Sequence, residues 1–346
     1  MNIINKKKLK KESKSWKGLM IDTARHMPSI EYLYKTIDKL SMLGLNKLHL
    51  HLSDDQGFRI ESKKYPKLNT IGSFRRETVV GRNFPSKWTN YANYIGDGEP
   101  YNGYYTQLKL KKIVSYANSK NIDIVPEIDI PGHSTAILAS YPKYSAGRPP
   151  IETATYWGKF DAGISNTEES IKFLKNIFDE VIEIFNPKYI HIGGDEVNLR
   201  NYTSESEVFD ILRSVIKHIN NRGVKAIVWE EYAKSVIGTD NIVMNWKELT
   251  NGYELLKMGA NVIICTREYF YFDRNQKDSP NEPLSIGEII TSKKVSDFKI
   301  DDSILNNYRD SIIGIQANLW TEYLSTEKLM DYMLYPRLEV FSKIEI

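Results

Sequence analysis

The stretch HIGGDEVN, residues 191–198, sets two carboxylates side by side, Asp195 and Glu196, directly behind a glycine pair. Cleavage of a glycosidic bond calls for one protonated and one ionised carboxyl group near the bond. Two neighbouring carboxylates in a partly dry pocket repel, so one tends to keep its proton. Adjacent residues are nevertheless badly spaced to attack a sugar from opposite sides, so if Glu196 is the acid, the nucleophile comes from elsewhere. The plain alternative is an acidic loop after Gly193 and Gly194. A second constellation is His49-Leu50-His51, two histidines at i and i+2 that face the same way on a strand. With Asp54, His133 and His191 nearby they could ligate a metal, as in barrel hydrolases, or be structural. No histidine falls in the later strands, which weighs against the metal. Tryptophans follow three apolar runs at Trp229, Trp246 and Trp320. Indoles at equivalent strand ends make an apolar box with polar rims, a surface suited to the C–H faces of a sugar, whereas any single one could be core packing.

These groups need elements to hold them. Short runs rich in Ile, Val and Leu recur at 18–25, 45–52, 122–129, 188–196, 225–231, 242–248, 261–268 and 312–320, mostly followed by segments of helical period. Before the second run, Ile30, Leu33, Ile37, Leu40 and Leu43 form one apolar stripe, and Gly44 stands where a left-handed cap belongs. SIKFLKNIFDEVIEIF precedes the fourth run in the same way. Eight parallel strands alternating with helices predict a closed (β/α)₈ TIM barrel. Nearly every run ends in polar or aromatic residues: Arg25 and His26, Ser53-Asp54-Asp55, Glu127 and Asp129, Asp195-Glu196, Trp229-Glu230, Trp246, Trp320-Thr321-Glu322. A barrel gathers such ends at one mouth, where an open sheet gathers them at a switch point. No GxGxxG follows the first strand, which argues against a nucleotide cofactor.

The bulk properties agree with a soluble enzyme. The 346 residues suit a single barrel, and 47 basic against 44 acidic residues are too balanced for a nucleic-acid partner. Much of the excess lies in KKKLKKESKSWK, read as part of a frayed tail over residues 1–17, with the barrel over 18–346. The lone Cys265 excludes an intramolecular disulfide. No apolar signal region follows the basic start and no run is long enough to span a bilayer, so a cytoplasmic protein is expected, a secreted mature form reading alike. The connection from about 62 to 106 is long and rich in aromatic and basic residues, including Phe74, Phe84, Trp88, Tyr91, Tyr94, Tyr101, Arg75, Arg76 and Arg82. It is either a wall of the substrate site or an excursion packed outside the barrel.

Taken together, DTARH, NKLHLHLSDDQGFRI, GYYT, VPEIDIPGH, YIHIGGDEV, QANLWTEY and YPRL resemble the motif series of glycoside hydrolase family 20, the β-N-acetylhexosaminidases, in the family's order from Gly18 to Leu338. The resemblance implies a retaining exo-hydrolase that needs no enzyme nucleophile, metal or cofactor. The carbonyl oxygen of the substrate's own 2-acetamido group attacks the anomeric carbon and forms an oxazolinium. By resemblance Glu196 is the general acid and then base, Asp195 orients the acetamido group, and Tyr271 donates to its oxygen. Asp54 and His133 match a relay to the glutamate; as a plain alternative His133 caps the next helix. Arg25 matches the binder of the 3- and 4-hydroxyls, Asp273 and Glu322 the acceptors for the 4- and 6-hydroxyls, and Trp229, Trp246 and Trp320 the indoles of the acetamido pocket and sugar platform. The expected substrates are glycans ending in β-linked GlcNAc or GalNAc. Alternatives are a single-domain poly-β-1,6-GlcNAc hydrolase and an inactive sugar-binding protein. Departures from the family pattern are the short segment before the barrel, an eighth helix that stops early, and Phe58 where the family usually has Trp.

Overall fold

The computed structural model describes residues 15–83 and 94–346. Eight parallel strands close into a barrel in sequence order: β1 Trp16–Asp22, β2 Lys47–His51, β3 Asp123–Glu127, β4 Tyr189–His191, β5 Lys225–Trp229, β6 Ile242–Asn245, β7 Asn261–Ile264 and β8 Ile312–Leu319. The ring closes where β1 pairs with both β2 and β8. Helices cover it, the longest being α1 Ile30–Met42, α2 Gln107–Ser119, α3 Glu168–Phe185 and α4 Glu205–Asn221.

The expected apolar patterning accounts for this layering. In α1 the residues Ile30, Leu33, Ile37 and Leu40 are buried against the sheet, the Ser29 hydroxyl accepts the Tyr32 N–H, and Gly44 takes φ +74° just past the end. The larger apolar core lies between strands and helices. A smaller one fills the barrel itself, with Trp16, Val125, Ile227, Trp229, Ile242, Met244, Ile263 and Cys265.

Several strands, such as β6 and β7, end short of the runs read from the sequence, and four differences matter most. β1 begins at Trp16, so Trp16 and Lys17 belong to the barrel rather than to the tail, and Trp16 is buried. β4 has three residues instead of nine, because Gly193 and Gly194 take φ of +72° and +95° and lead the chain off the sheet before Asp195. Between β5 and β6 only a 3-10 turn, Glu230–Ser235, stands where a helix would be. The last helix is broken at Pro336 into Glu327–Leu334 and Arg337–Phe341. Phe58 is buried in a two-residue ladder, Ser53–Asp54 against Gly57–Phe58.

Candidate active site

The C-terminal ends of the strands surround a cavity of about 280 Å³. All eleven residues to which the resemblance gives a role line it: Arg25, Asp54, His133, Asp195, Glu196, Trp229, Trp246, Tyr271, Asp273, Trp320 and Glu322. Three others, Arg267, Arg274 and Ile286, complete the lining and were not anticipated. They follow β7: Arg267 stands at the polar end of the 261–268 run, while Arg274 and Ile286 lie farther along the loop.

The floor is a buried ion network built by strand register. Asp22, His51, Glu127 and His191 are neighbours across β1 to β4. Glu127 Oε2 lies 2.5 Å from His51 Nδ1 and 3.0 Å from His49 Nε2; its Oε1 lies 2.8 Å from His191 Nδ1 and accepts from Trp229 Nε1 at 3.1 Å. His51 Nε2 is in turn 2.9 Å from Asp54 Oδ2. Both ring nitrogens of His51 therefore face carboxylate oxygens and both must carry protons. Burial works against that charge, but Glu127 and Asp54 outweigh it and hold the ring up to about 10. In His49 burial wins and the ring falls to about 4. The i, i+2 histidines thus face a carboxylate at hydrogen-bond distances. His49, Glu127 and His191 are close enough together to hold an ion, as are Asp54, Asp55 and His133. In the second group the His133 spacings of 3.1 and 3.2 Å fit N–H···O bonds.

Asp54 carries this network to the cavity. Its Oδ2 pairs with Arg25 Nη2 at 2.7 Å and its Oδ1 lies 3.2 Å from His133 Nδ1. Burial opposes ionisation of Asp54, yet Arg25 and His133 keep its carboxyl well below the usual range. The His133 ring also meets Asp55 at 3.1 Å, so it does not cap the following helix. Burial disfavours its charge as well, but Asp54 and Asp195 raise it well above 6.5. Its Nε2 then faces Asp195 Oδ2 at 3.7 Å and Glu196 Oε2 at 3.8 Å. Arg25 is fixed on three sides, by Asp54, by Asp22 at 3.3 Å and by Gln56 at 2.8 Å, with its guanidinium 5.3 Å above Trp320.

The turn carrying the acidic pair is strained. Glu196 has φ +50° and His133 φ +45°, left-handed conformations that cost a non-glycine residue on the order of 1–3 kcal/mol. Gly193 has no substitute, since a Cβ there would lie 1.6 Å from Asp129 Oδ1. Asp129 Oδ1 also accepts the Gly194 N–H at 3.1 Å. Asp129 is buried beside Asp195; burial first, then the Asp195 charge, pushes its carboxyl well up. Burial likewise raises Asp195, to about 6, against the pull of His133. Burial thus favours a proton on the Asp129 and Asp195 pair, whereas the resemblance gives the donating role to Glu196.

The opposite wall is aromatic. Trp246 stacks on Tyr271 at 6.2 Å and donates to Glu231 at 3.0 Å; Trp320 stands 6.2 Å from Trp229 and 6.3 Å from Tyr271. The loop bearing Tyr271 and Asp273 is clamped by Arg337 of YPRL, which is fully buried and binds the carbonyls of Phe272, Arg274 and Ile290 at 2.7–2.9 Å. Asp273 Oδ1 is buried without a hydrogen-bond partner among the described residues; burial and then Glu322 raise this carboxyl to about 7. Burial also raises Glu322, with Arg25 opposing it.

No described residue of the 62–106 connection lines the cavity. Tyr101 instead receives the Met27 N–H at 2.6 Å and lies edge-on to His26, with Arg75 3.9 Å above its ring. Arg59, just before this connection, binds the carbonyls of Ala24, Ser73 and Gly103. The connection therefore braces the segment presenting Arg25. Phe84, Trp88 and Tyr91 lie outside the described residues. Among the described residues no helix is long and apolar enough to cross a membrane.

Comparison with known proteins bears on the family and the barrel. The family model described as "Glycosyl hydrolase family 20, catalytic domain" matches residues 15–344. A "Beta-hexosaminidase" of Porphyromonas gingivalis is 31% identical over 93% of this chain and 42% of its own length. A solved structure titled as a beta-N-acetylhexosaminidase superposes with a TM-score of 0.83 at 28% identity, over 94% of this chain and 71% of that one. An exo beta-N-acetylglucosaminidase of Vibrio harveyi, solved in complex with N-acetylglucosamine, gives 0.79 at 27% identity over 95% and 53%. The chain spans about half the length of the curated relatives it matches.

Proposed function

The chain belongs to glycosyl hydrolase family 20, and on that premise we propose that it is a retaining exo-β-N-acetylhexosaminidase acting on glycans that end in β-linked GlcNAc or GalNAc. The reaction runs through the substrate's acetamido group. Its carbonyl oxygen attacks the anomeric carbon as Glu196 protonates the leaving oxygen; Glu196 then takes a proton from the water that opens the oxazolinium. Asp195 accepts the acetamido N–H and balances the positive charge developing there. Tyr271, whose proton is held firmly by burial, donates to the acetamido oxygen. The line from Asp54 through His133 keeps a cation beside the two carboxylates, and Arg25, Asp273 and Glu322 bind the ring hydroxyls.

One observation carries this reading: two adjacent carboxylates, Asp195 and Glu196, share a cavity with three indoles and a buried tyrosine, and neighbours on one turn are badly spaced to act from opposite faces of one sugar. At about 280 Å³ the cavity is at the small end of ligand pockets, which run from roughly 300 to 1,000 Å³, and suits one sugar rather than a chain. That supports exo cleavage. The test is Glu196→Gln on two substrates. The account expects a loss on the order of 10²–10⁴ in kcat for a saccharide leaving group and a far smaller loss for a nitrophenolate, which leaves without a proton. Equal losses on both would remove Glu196 from the acid role.

A further inference from the structure

A strap of chain from Thr153 to Phe160 runs past the acidic turn and is pinned from below. The Ala154 N–H donates to the Asp55 carbonyl at 3.0 Å, the Thr155 carbonyl accepts from Val79 at 2.8 Å, and the Tyr156 carbonyl accepts from Gln56 Nε2 at 2.7 Å. Trp157 is buried edge-on to His26 at 5.8 Å, with the Arg75 guanidinium 5.9 Å from its ring. The chain turns at Gly158, φ +133°, and the next side chain, Lys159, sets its Nζ 3.1 Å from Glu196 Oε1. That side chain is 65% exposed. Phe160 follows with its ring 4.9 Å from Tyr156, and both line a shallow cavity of about 310 Å³ that also includes Thr135.

We propose that Lys159 is a specificity-determining residue on the leaving-group side of the site, selecting saccharides that carry a negative charge on the sugar being released. The inference rests on Glu196 being the acid. If it is, the leaving sugar must lie against Glu196, and Lys159 Nζ already stands there. A cation 3.1 Å from a carboxylate gains from it only while that carboxylate is ionised, so when Glu196 holds the proton it must donate, Lys159 has lost its anion. The strap is anchored but the lysine head is solvated, so it can swing on its four methylenes without disturbing the backbone. An anionic group on the leaving sugar then takes the place of Glu196.

The neighbouring cations cannot do this. His133, 3.8 Å from Glu196, is buried and tied to Asp54 and Asp55; Arg25 is tied to Asp54 and Asp22; Lys247 pairs with Glu231, and Arg267 with Glu248; Arg274 lies on the aromatic wall, 5.9 Å from the Tyr271 ring and beside Asp273. Asp195, the adjacent carboxylate, repels an anion when ionised. Selection on the leaving side thus falls to Lys159, while the Tyr156 and Phe160 rings offer an apolar platform for the faces of the same sugar.

The test compares GlcNAc β-linked to glucuronic acid with GlcNAc β-linked in the same way to glucose, as the ratio of the two kcat/KM values within each protein. A solvated ion pair supports a preference of up to about fivefold for the acidic disaccharide in the wild type, falling towards unity in 0.5 M salt. Lys159→Gln should bring the ratio to about one, and Lys159→Glu below one. A wild-type ratio at or below one, or a ratio unchanged in Lys159→Gln, overturns the proposal. So does cleavage of an aryl N-acetylglucosaminide with neither disaccharide cleaved, although the hydrolase reading then stands. A wild type inactive on all three rejects that reading, and this inference with it.

Discussion

Asp273 offers a test in which stability and activity move in opposite directions. Its carboxyl is held at about 7 by burial and by Glu322, against Arg274 and Arg337, and one of its oxygens is buried without a partner among the described residues. The unfolded chain releases this proton near the ordinary aspartate value of 3.8. Between pH 4 and 7 the folded state therefore binds a proton that the unfolded state has lost, so stability falls as pH rises through this window and the cost is complete above it. Three units at about 1.36 kcal/mol each set a ceiling of about 4 kcal/mol; the side chain is half-buried, and solvent screening reduces this to about 1–3 kcal/mol. Asp273→Asn removes the charge. The variant should be more stable than wild type by that amount at pH 8, and by less than about 1 kcal/mol at pH 4.5, in urea unfolding followed by circular dichroism. The same change removes the acceptor for a ring hydroxyl, a charge-assisted bond worth about 1.5–3 kcal/mol, so kcat/KM should fall by roughly 10- to 150-fold. A destabilised variant at pH 8, or a gain equal at both pH values, would refute the reasoning.

Two further substitutions probe the floor and the turn. His51→Gln removes the cation between Glu127 and Asp54, leaving buried carboxylates uncompensated; a loss of about 3–5 kcal/mol is expected in urea unfolding, with partial recovery in the His51→Gln/Glu127→Gln double variant. Full stability in the single variant would contradict an imidazolium at that position. Gly193→Ala forces a Cβ onto Asp129 at a positive φ, so it should cost at least about 2 kcal/mol in the same assay and lower kcat through the displaced Asp195-Glu196 turn; wild-type values for both would show that the close approach is not needed.

What the sequence reveals here depends on how local each signal is. The barrel is legible because Ile, Val and Leu runs alternate with helical stripes such as Ile30, Leu33, Ile37 and Leu40, and each pattern is set by residues close in the chain. The cavity is legible for a related reason: in a closed parallel barrel all strand ends face one mouth, so polar ends such as Asp54 and Trp229 converge whatever the details of packing. The short β4 was marked only by Gly193-Gly194; both take positive φ, and a Cβ on Gly193 would strike Asp129, 64 residues away, which no local pattern reveals. The partners of His49 and His51 were hidden because Glu127 meets them through strand register, which sequence spacing does not reveal. Arg59, Arg75 and Arg337 are buried, which their sequence surroundings do not show; Arg59 and Arg337 supply fixed donors to irregular backbone that has no ladder of its own. Lys159 gave no signal at all, since its meeting with Glu196 depends on the anchoring of a loop.

The central claim is that Asp195 and Glu196 can be adjacent because the substrate brings its own nucleophile. It is tested most directly by comparing kcat/KM for an aryl β-N-acetylglucosaminide and the aryl β-glucoside with the same leaving group, which differ only in the 2-acetamido group. An intramolecular nucleophile held in place contributes effective molarities of roughly 10⁵ M and above, so the account predicts a preference of at least about 10³ for the acetamido sugar. Rates within tenfold of each other would contradict it.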